Sequence, residues 1–195
     1  MENLIKAVLS NFTLTFFVLG LLCSGASIAL QKIPLRNRDQ VYEVVFRWYL
    51  FFSIGVAFAY NFIMHVFFGA LTAQFIGWAP SPFQLEVGFA SLGFSILGFM
   101  AFAGNWNMRL AAVIASAVFL WGAAVGHIIQ MIQFQNYTAG NAGIIFYTDS
   151  LLPVFSIWLL WVTRPRKFYL RKIVIVTNAI RCLKDYSLQS LNSNE

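Results

Sequence analysis

Apolar positions run through this chain in long segments that are separated by short polar gaps. Five such apolar segments can be distinguished, over residues 10–30, 44–70, 82–103, 108–131 and 143–162. A helix needs roughly 20 mainly apolar residues to cross the hydrocarbon core of a membrane. No alternation of period two recurs over the length of a barrel strand. Because lipid leaves backbone groups no partner outside their own helix, the pattern predicts an all-α fold with five transmembrane helices in residues 1–162.

The composition supports a membrane protein. Hydrophobic residues make up 59% of the chain and charged residues only 10%, whereas a soluble domain carries about 25% charged residues to keep its surface wetted. A disulfide-rich scaffold is excluded because the chain has only two cysteines. These figures predict a polytopic helix bundle in the cell (inner) membrane, with the lipid bilayer as its main partner.

The basic residues indicate how the bundle is oriented. When successive connections are assigned to alternate sides of the membrane, Lys6 lies on one side and the other 12 of the 13 Lys and Arg residues lie on the opposite side. These are Lys32, Arg36, Arg38, Arg47, Arg109, Arg164, Arg166, Lys167, Arg171, Lys172, Arg181 and Lys184. Basic loops stay in the cytoplasm. The asymmetry therefore predicts an external N-terminus and a cytoplasmic C-terminus.

Residues 163–195 are predicted to form a basic amphipathic cytoplasmic tail. Between Phe168 and Leu183, apolar side chains recur along one helical face and polar or basic side chains along another. Such a helix lies on a membrane surface and attracts anionic lipid. The formal net charge of +6 is explained by this tail and the cytoplasmic loops, so the chain is not expected to bind nucleic acid.

Four ionisable residues lie within or near the predicted spans, namely His65, Glu86, His127 and Asp149. Ionisable groups inside a membrane are costly, and each is therefore a candidate for function. His65 follows Arg47 by 18 residues, and His127 follows Arg109 by the same number. At 1.5 Å per residue, both histidines lie about 27 Å from a cytoplasmic arginine, which predicts a common level in the outer leaflet.

Glu86 and Asp149 are expected to reach the same level from two other spans. Ser81 is predicted to cap the third span, with Pro82 at its first position and Gln84 completing a capping box. Glu86 then lies in the first turns, where the helix dipole favours an anion. Asp149 precedes Pro153 by four residues, so its carbonyl lacks the usual helical partner.

Two further polar residues extend the predicted layer by their helical spacing. Asn61 precedes His65 by four residues, and Gln130 follows His127 by three. Histidine and carboxylate side chains are suitable ligands for a divalent transition metal. The sequence therefore predicts a metal or proton site made of His65, Glu86, His127 and Asp149, with Asn61, Ser81, Gln84 and Gln130 in support.

Small residues and one long apolar segment bear on the packing of the bundle. Glycines recur in the third and fourth predicted spans, at Gly88, Gly93, Gly98, Gly122 and Gly126, and small residues allow helices to approach closely in lipid. The apolar segment from Trp48 to Trp78 would extend roughly 46 Å as one helix, which exceeds the ~30 Å hydrocarbon core. We expect a break near Gly69, with the following residues lying over the outer end of the bundle.

The string from Trp78 to Glu86, W-A-P-S-P-F-Q-L-E, has a family resemblance. It resembles the W-x-x-S-P-F-Q-x-E motif of a family of small, uncharacterised prokaryotic integral membrane proteins, over residues 78–100. The matching positions are Trp78, Ser81, Pro82, Phe83, Gln84 and Glu86. The resemblance implies a multi-pass helical protein and brings no activity with it.

Three classes of function remain open. The polar layer could bind a cation or move protons, or His65 and His127 could hold one haem b between facing helices. Alternatively, the protein is an accessory or structural subunit whose polar layer stabilises packing or contacts a partner, either another membrane protein or a second copy of the chain. The sequence contains no G-x-S-x-G, H-E-x-x-H, P-loop or C-x-x-C motif, which favours a role other than catalysis.

Overall fold

The computed structural model describes residues 10–30 and 37–165, and the regular elements in these two ranges are all helical. Five helices are long and apolar enough to cross a membrane, as the hydrophobic pattern predicts. Lys6, Lys32 and Arg36 lie outside the described residues, as do residues 166–195 of the predicted basic tail. The inside-outside orientation therefore remains a prediction from charge.

The helices are numbered in chain order. The first span is α1 (Phe12–Ala29), the second combines α2 (Arg38–Tyr49), a π-helical segment (Leu50–Val56) and α3 (Ala57–Phe67), and a short α4 (Gly69–Ile76) follows it. The third span is α5 (Phe83–Ala103) and the fourth is α6 (Trp106–Phe134). A one-turn α7 (Ala139–Ala142) leads into α8 (Ile144–Val162), which forms most of the fifth span.

The ends of the helices follow from local side-chain chemistry. Asn37 and Asn105 cap α2 and α6 by accepting hydrogen bonds at 3.1 Å from backbone N–H groups in the first turn. The second span breaks at Phe68, which confirms the interruption expected near Gly69. Gly77 ends α4 with a left-handed φ of +70°, a conformation that glycine adopts at little cost.

The predicted capping box at the start of α5 is only half right. The Ser81 hydroxyl accepts a hydrogen bond from the Phe83 N–H at 3.3 Å, so this residue does satisfy a free donor of the first turn. Helix α5 begins at Phe83 rather than at Pro82. The Gln84 side chain contacts His65 on another span instead of reaching back to its own helix end, because this contact satisfies a polar group that would otherwise be buried in an apolar environment.

The second and third spans approach closely at two glycines. A Cβ atom on Gly98 would overlap the backbone nitrogen of Gly55 and lie 2.8 Å from its Cα. Next to this crossing, the Ser95 hydroxyl donates a hydrogen bond of 2.8 Å to the Gly55 carbonyl. The core extends from here along one stripe of the second span, with Phe46, Leu50, Ile54 and Phe58 all buried. Their spacing of four residues keeps these side chains on one helical face.

An ion pair with a buried arginine joins the second and fourth spans near the start of α6, and the same arginine contacts the third span. The Arg109 guanidinium is 10% exposed and donates a hydrogen bond of 2.7 Å to the Glu43 carboxylate, which is 43% exposed. Arg109 also donates to the Ala101 carbonyl at 3.3 Å. Because Arg109 is the more buried member of the pair, its charge is stabilised more by these hydrogen bonds and less by water than the charge of Glu43 is.

Substitution of Arg109 is expected to destabilise the protein more than substitution of Glu43. Arg109→Met removes two hydrogen bonds made by a charged, buried group, and we expect a loss of about 2–3 kcal/mol. Glu43→Gln retains an acceptor on a half-exposed side chain and should cost about 1 kcal/mol or less. Unfolding of both variants in mixed detergent micelles measures the difference, and equal losses would contradict this assignment.

Candidate functional site

A cavity of about 1130 Å³ lies between the helices, and residues of all five spans line it. Most of its lining side chains are apolar. Its polar lining includes several residues predicted from the sequence, namely Asn61, His65, Ser81, Gln84, His127 and Asp149. An apolar cavity with a few convergent polar groups is the usual form of a small-molecule binding site.

Residues 68–81, called the cap below, form one end of this cavity. The cap is fixed to the connection between α6 and α8. Asn136 donates hydrogen bonds of 2.9 and 3.1 Å to the carbonyls of Ile76 and Gly77, and the Thr138 hydroxyl donates one of 3.0 Å to the Ile76 carbonyl. The positive φ of Gly77 turns the chain at this point, so that Trp78 can reach the fourth span.

His127 and Asp149 form a buried pair on facing helices α6 and α8. Nε2 of His127 lies 3.7 Å from Oδ2 of Asp149, and both side chains are 7% exposed. This separation is within the range of an ion pair and longer than a hydrogen bond. A movement of about 1 Å would bring the two atoms to the distance of a charge-assisted hydrogen bond.

Asn141, on α7, holds the other nitrogen of the His127 ring. Its amide nitrogen donates hydrogen bonds of 3.2 and 2.9 Å to the carbonyls of His127 and Asn136, so its Oδ1 atom is the acceptor of the amide. That oxygen lies 2.8 Å from Nδ1 of His127. An amide oxygen only accepts, and therefore Nδ1 of His127 carries a proton. Asn141 itself is completely buried.

Trp78 closes this network from the cap. Its indole N–H donates a hydrogen bond of 2.8 Å to Oδ1 of Asn141, and its ring centroid lies 5.6 Å from that of His127. Gly126 leaves room for the indole, since a Cβ atom there would lie 3.0 Å from Cη2 of Trp78. In the sequence, Trp78 was recognisable as the end of the long apolar segment and as part of a motif, and Asn141 was not predicted as a site residue. The signal in the sequence was the amide side chain of Asn141 itself, which lies among small residues at the start of the fifth span.

His65 forms a second polar contact in the cavity wall. Nδ1 of His65 lies 2.5 Å from Oε1 of Gln84, which joins α3 to α5. Because the Gln84 oxygen accepts, Nδ1 carries the proton and Nε2 of a neutral His65 ring has a free lone pair. The structure therefore brings His65 together with Gln84, and His127 together with Asp149, in the wall of one cavity.

The other predicted site residues are arranged differently. Glu86 is exposed, lies outside the cavity lining and has no hydrogen bond or ion pair with any described residue. Gln130 is also outside the lining. Asn61 lines the cavity, but its amide donates to the Ser91 hydroxyl at 2.9 Å. Within residues 10–30 and 37–165, no three His, Cys, Asp or Glu side chains come close enough to hold a metal ion.

The five apolar helices and the cavity between them define the class, a multi-pass helical protein of the membrane type. The chain belongs to DUF6790, a family of unknown function whose model matches residues 10–167. The matched range contains the Trp78–Glu86 string, and membership agrees with the predicted resemblance to an uncharacterised family. The prokaryotic origin implied by that resemblance stays a prediction. No curated protein and no solved structure matches the chain.

Proposed function

We propose that the protein is an integral membrane protein that binds and releases protons at the His127–Asp149 pair, beside a cavity within the membrane. The single observation that carries this proposal is the fixed orientation of the His127 ring. Asn141 holds the protonated Nδ1 atom at 2.8 Å, so that Nε2 faces the Asp149 carboxyl group. The pair is therefore oriented to share a proton between one nitrogen and one oxygen.

The proton count of the pair follows from its burial. An ionised carboxylate alone in an apolar environment is strongly disfavoured, as is a lone imidazolium. The low-energy arrangements have no net charge, with one shared proton on either Nε2 of His127 or the carboxyl group of Asp149. Adding or removing one proton charges the pair as a unit, so the two residues titrate together rather than separately.

The donor atoms fit a proton better than a metal ion or haem. A tetrahedral transition metal site uses three or four protein ligands, whereas the described residues offer one imidazole nitrogen and one carboxylate at this point. An axial haem ligand needs a free Nε2 atom, and Nε2 of His127 faces Asp149 instead. The predicted cation and haem alternatives therefore have less support than proton exchange.

The distribution of basic residues supports an orientation for this site. Under the positive-inside rule, the cap and the His127–Asp149 pair lie toward the external face of the inner membrane. The pair would then exchange protons with the external side more readily than with the cytoplasm. The arrangement would suit a protein that senses or uses external pH.

Infrared spectroscopy tests the proposal directly. In spectra recorded from acid to alkaline pH, the wild-type protein is expected to show a change in the carbonyl stretch of a protonated carboxyl group. Asp149→Asn should remove that band, because the amide cannot be protonated at the same oxygen. His127→Gln should shift the pH at which the band changes, because Asp149 then loses the partner that shares its proton.

Glu86→Gln is the matched control, since it also removes one carboxyl group from a transmembrane helix but from an exposed position outside the cavity. It should leave the Asp149 band in place. A wild-type spectrum without any band sensitive to Asp149→Asn would overturn the proposal. The pair would then be a structural contact, and the alternative of an accessory subunit would be favoured.

A further inference from the structure

Ser53 has the one buried side-chain oxygen or nitrogen atom that lacks a hydrogen-bond partner among the described residues. The residue is 5% exposed and belongs to the lining of the large cavity. A buried hydroxyl without a partner costs about 1–3 kcal/mol. Such a group in a cavity wall is the kind of feature that a bound molecule explains.

The free hydroxyl belongs to the π-helical segment. Elsewhere in the described chain, Ser24, Ser91, Ser116 and Ser150 donate to the carbonyl four residues earlier in their helix, at 2.7–2.9 Å. This bond is the usual way in which a serine satisfies its hydroxyl within a helix. Ser53 lies in the π-helical segment Leu50–Val56 and makes no such bond. Segments of this type are frequent at functional sites.

The cavity is large and elongated. Ser53 and His65 both line it and are separated by 12 residues of the same span, which corresponds to at most about 18 Å along the helix axis. The cavity volume of about 1130 Å³ is slightly larger than that of usual ligand cavities, which range over roughly 300–1,000 Å³. This space accommodates a molecule with a long hydrocarbon part.

The chemistry of the lining restricts the charge of such a molecule. In the part of the chain that the structure describes, no Lys or Arg side chain lines the cavity. The buried His127–Asp149 pair carries no net charge in its low-energy arrangements, so it offers neither an anion nor a cation an uncompensated opposite charge. The cavity therefore favours a neutral ligand.

We propose that the cavity binds one elongated neutral lipophile that carries a hydroxyl or carbonyl oxygen, and that this oxygen forms a hydrogen bond with the Ser53 hydroxyl. The hydrocarbon part of the ligand would lie along the apolar wall between Ser53 and the cap. This binding site does not depend on proton exchange at His127 and Asp149.

A photoactivatable probe tests the proposal. Hexadecanol with a diazirine in its chain would be added to the purified protein in detergent, and mass spectrometry would locate the covalent adduct after illumination. We expect adducts on cavity residues of the wild-type protein. Ser53→Ala removes one hydrogen bond, so half-maximal labelling should require about 2- to 10-fold more probe. Ser116→Ala is the control, because that buried serine bonds to its own helix and lies outside the cavity.

A second pair of variants tests occupancy of the cavity. Gly122 lines the cavity with open space around its Cβ position, so Gly122→Leu should fill part of the site and abolish specific labelling. Gly93 has equally open space but lies outside the lining, and Gly93→Leu should label as the wild type does. Unchanged labelling of Ser53→Ala or of Gly122→Leu would overturn the proposal, as would adducts confined to the outer surface. Failure of the proton site would appear only in the infrared spectra and would leave this labelling intact.

Discussion

Replacing Gly98 by alanine or leucine is expected to destabilise the protein more than breaking the Arg109–Glu43 ion pair does. The added Cβ atom would overlap the backbone nitrogen of Gly55 and would lie 2.9 Å from the carbonyl carbon of Ile54. These are backbone atoms, so relief requires the second and third spans to separate. We expect Gly98→Ala to cost about 3 kcal/mol or more and Gly98→Leu to prevent recovery of folded protein. Unfolding in mixed micelles and size-exclusion chromatography measure the two effects.

Two other glycines provide matched comparisons. Gly93→Ala lies on the same helix with no atom near its Cβ position, and it should be neutral or slightly stabilising because alanine is the better helix former. The atoms nearest to a Cβ atom on Gly55 belong to the side-chain ring of Phe99, from 2.7 Å, and not to the backbone, so Gly55→Ala should cost less than Gly98→Ala. If the alanine variants at positions 93 and 98 were equally stable, the close approach of the two spans would be wrong.

The transmembrane helices could be predicted because the length of an apolar segment depends only on neighbouring residues in the chain. Each apolar segment corresponds to a helix of spanning length, and the excess length of the segment after Trp48 correctly indicated the break at Phe68. Helix ends were less predictable. The fourth span runs from Trp106 to Phe134, beyond the predicted 108–131, because Asn105 caps it early and polar residues continue the helix past the apolar segment.

The sequence predicts a depth in the membrane for each site residue, but it does not predict the direction in which each side chain faces. Gln84 and Glu86 lie at nearly the same level of α5, yet two residues rotate a side chain by about 200° around a helix. Gln84 therefore faces His65, while Glu86 is exposed. Hydrophobic patterning could not separate these outcomes, because the side of α5 that faces lipid is nearly as apolar as the side that faces other helices.

Asn141 could not be predicted as a site residue because its role depends on tertiary contacts. It lies on the single helical turn that begins the fifth span, and its partners Trp78 and His127 are 63 and 14 residues away along the chain. Glycine positions show the same limit. Gly88, Gly93 and Gly98 recur at similar spacing, but a Cβ atom would overlap a neighbouring span only at Gly88 and Gly98.

Asn141→Leu is expected to cause a loss of stability comparable to that of Gly98→Ala, because a side chain of similar size replaces an amide that makes four hydrogen bonds. The indole N–H of Trp78 and the Nδ1–H of His127 would both lose their acceptor. At about 1–3 kcal/mol for each unsatisfied buried donor, the loss of stability should reach about 3–5 kcal/mol. The His127 ring could then move its proton to Nε2, so the infrared band of Asp149 should shift as well.

A double variant distinguishes the contribution of the Trp78 indole N–H from that of the Nδ1–H of His127. Trp78→Phe removes the indole N–H but retains an aromatic ring beside His127, so adding it to Asn141→Leu should cost less than the sum of the two single changes. The shift of the Asp149 band should persist in the double variant, because it arises from His127 and not from Trp78. Full additivity would mean that the indole does not bond to Asn141. An unshifted band in Asn141→Leu would mean that this amide does not control which nitrogen of His127 carries the proton, and the proton pair would lose its structural basis.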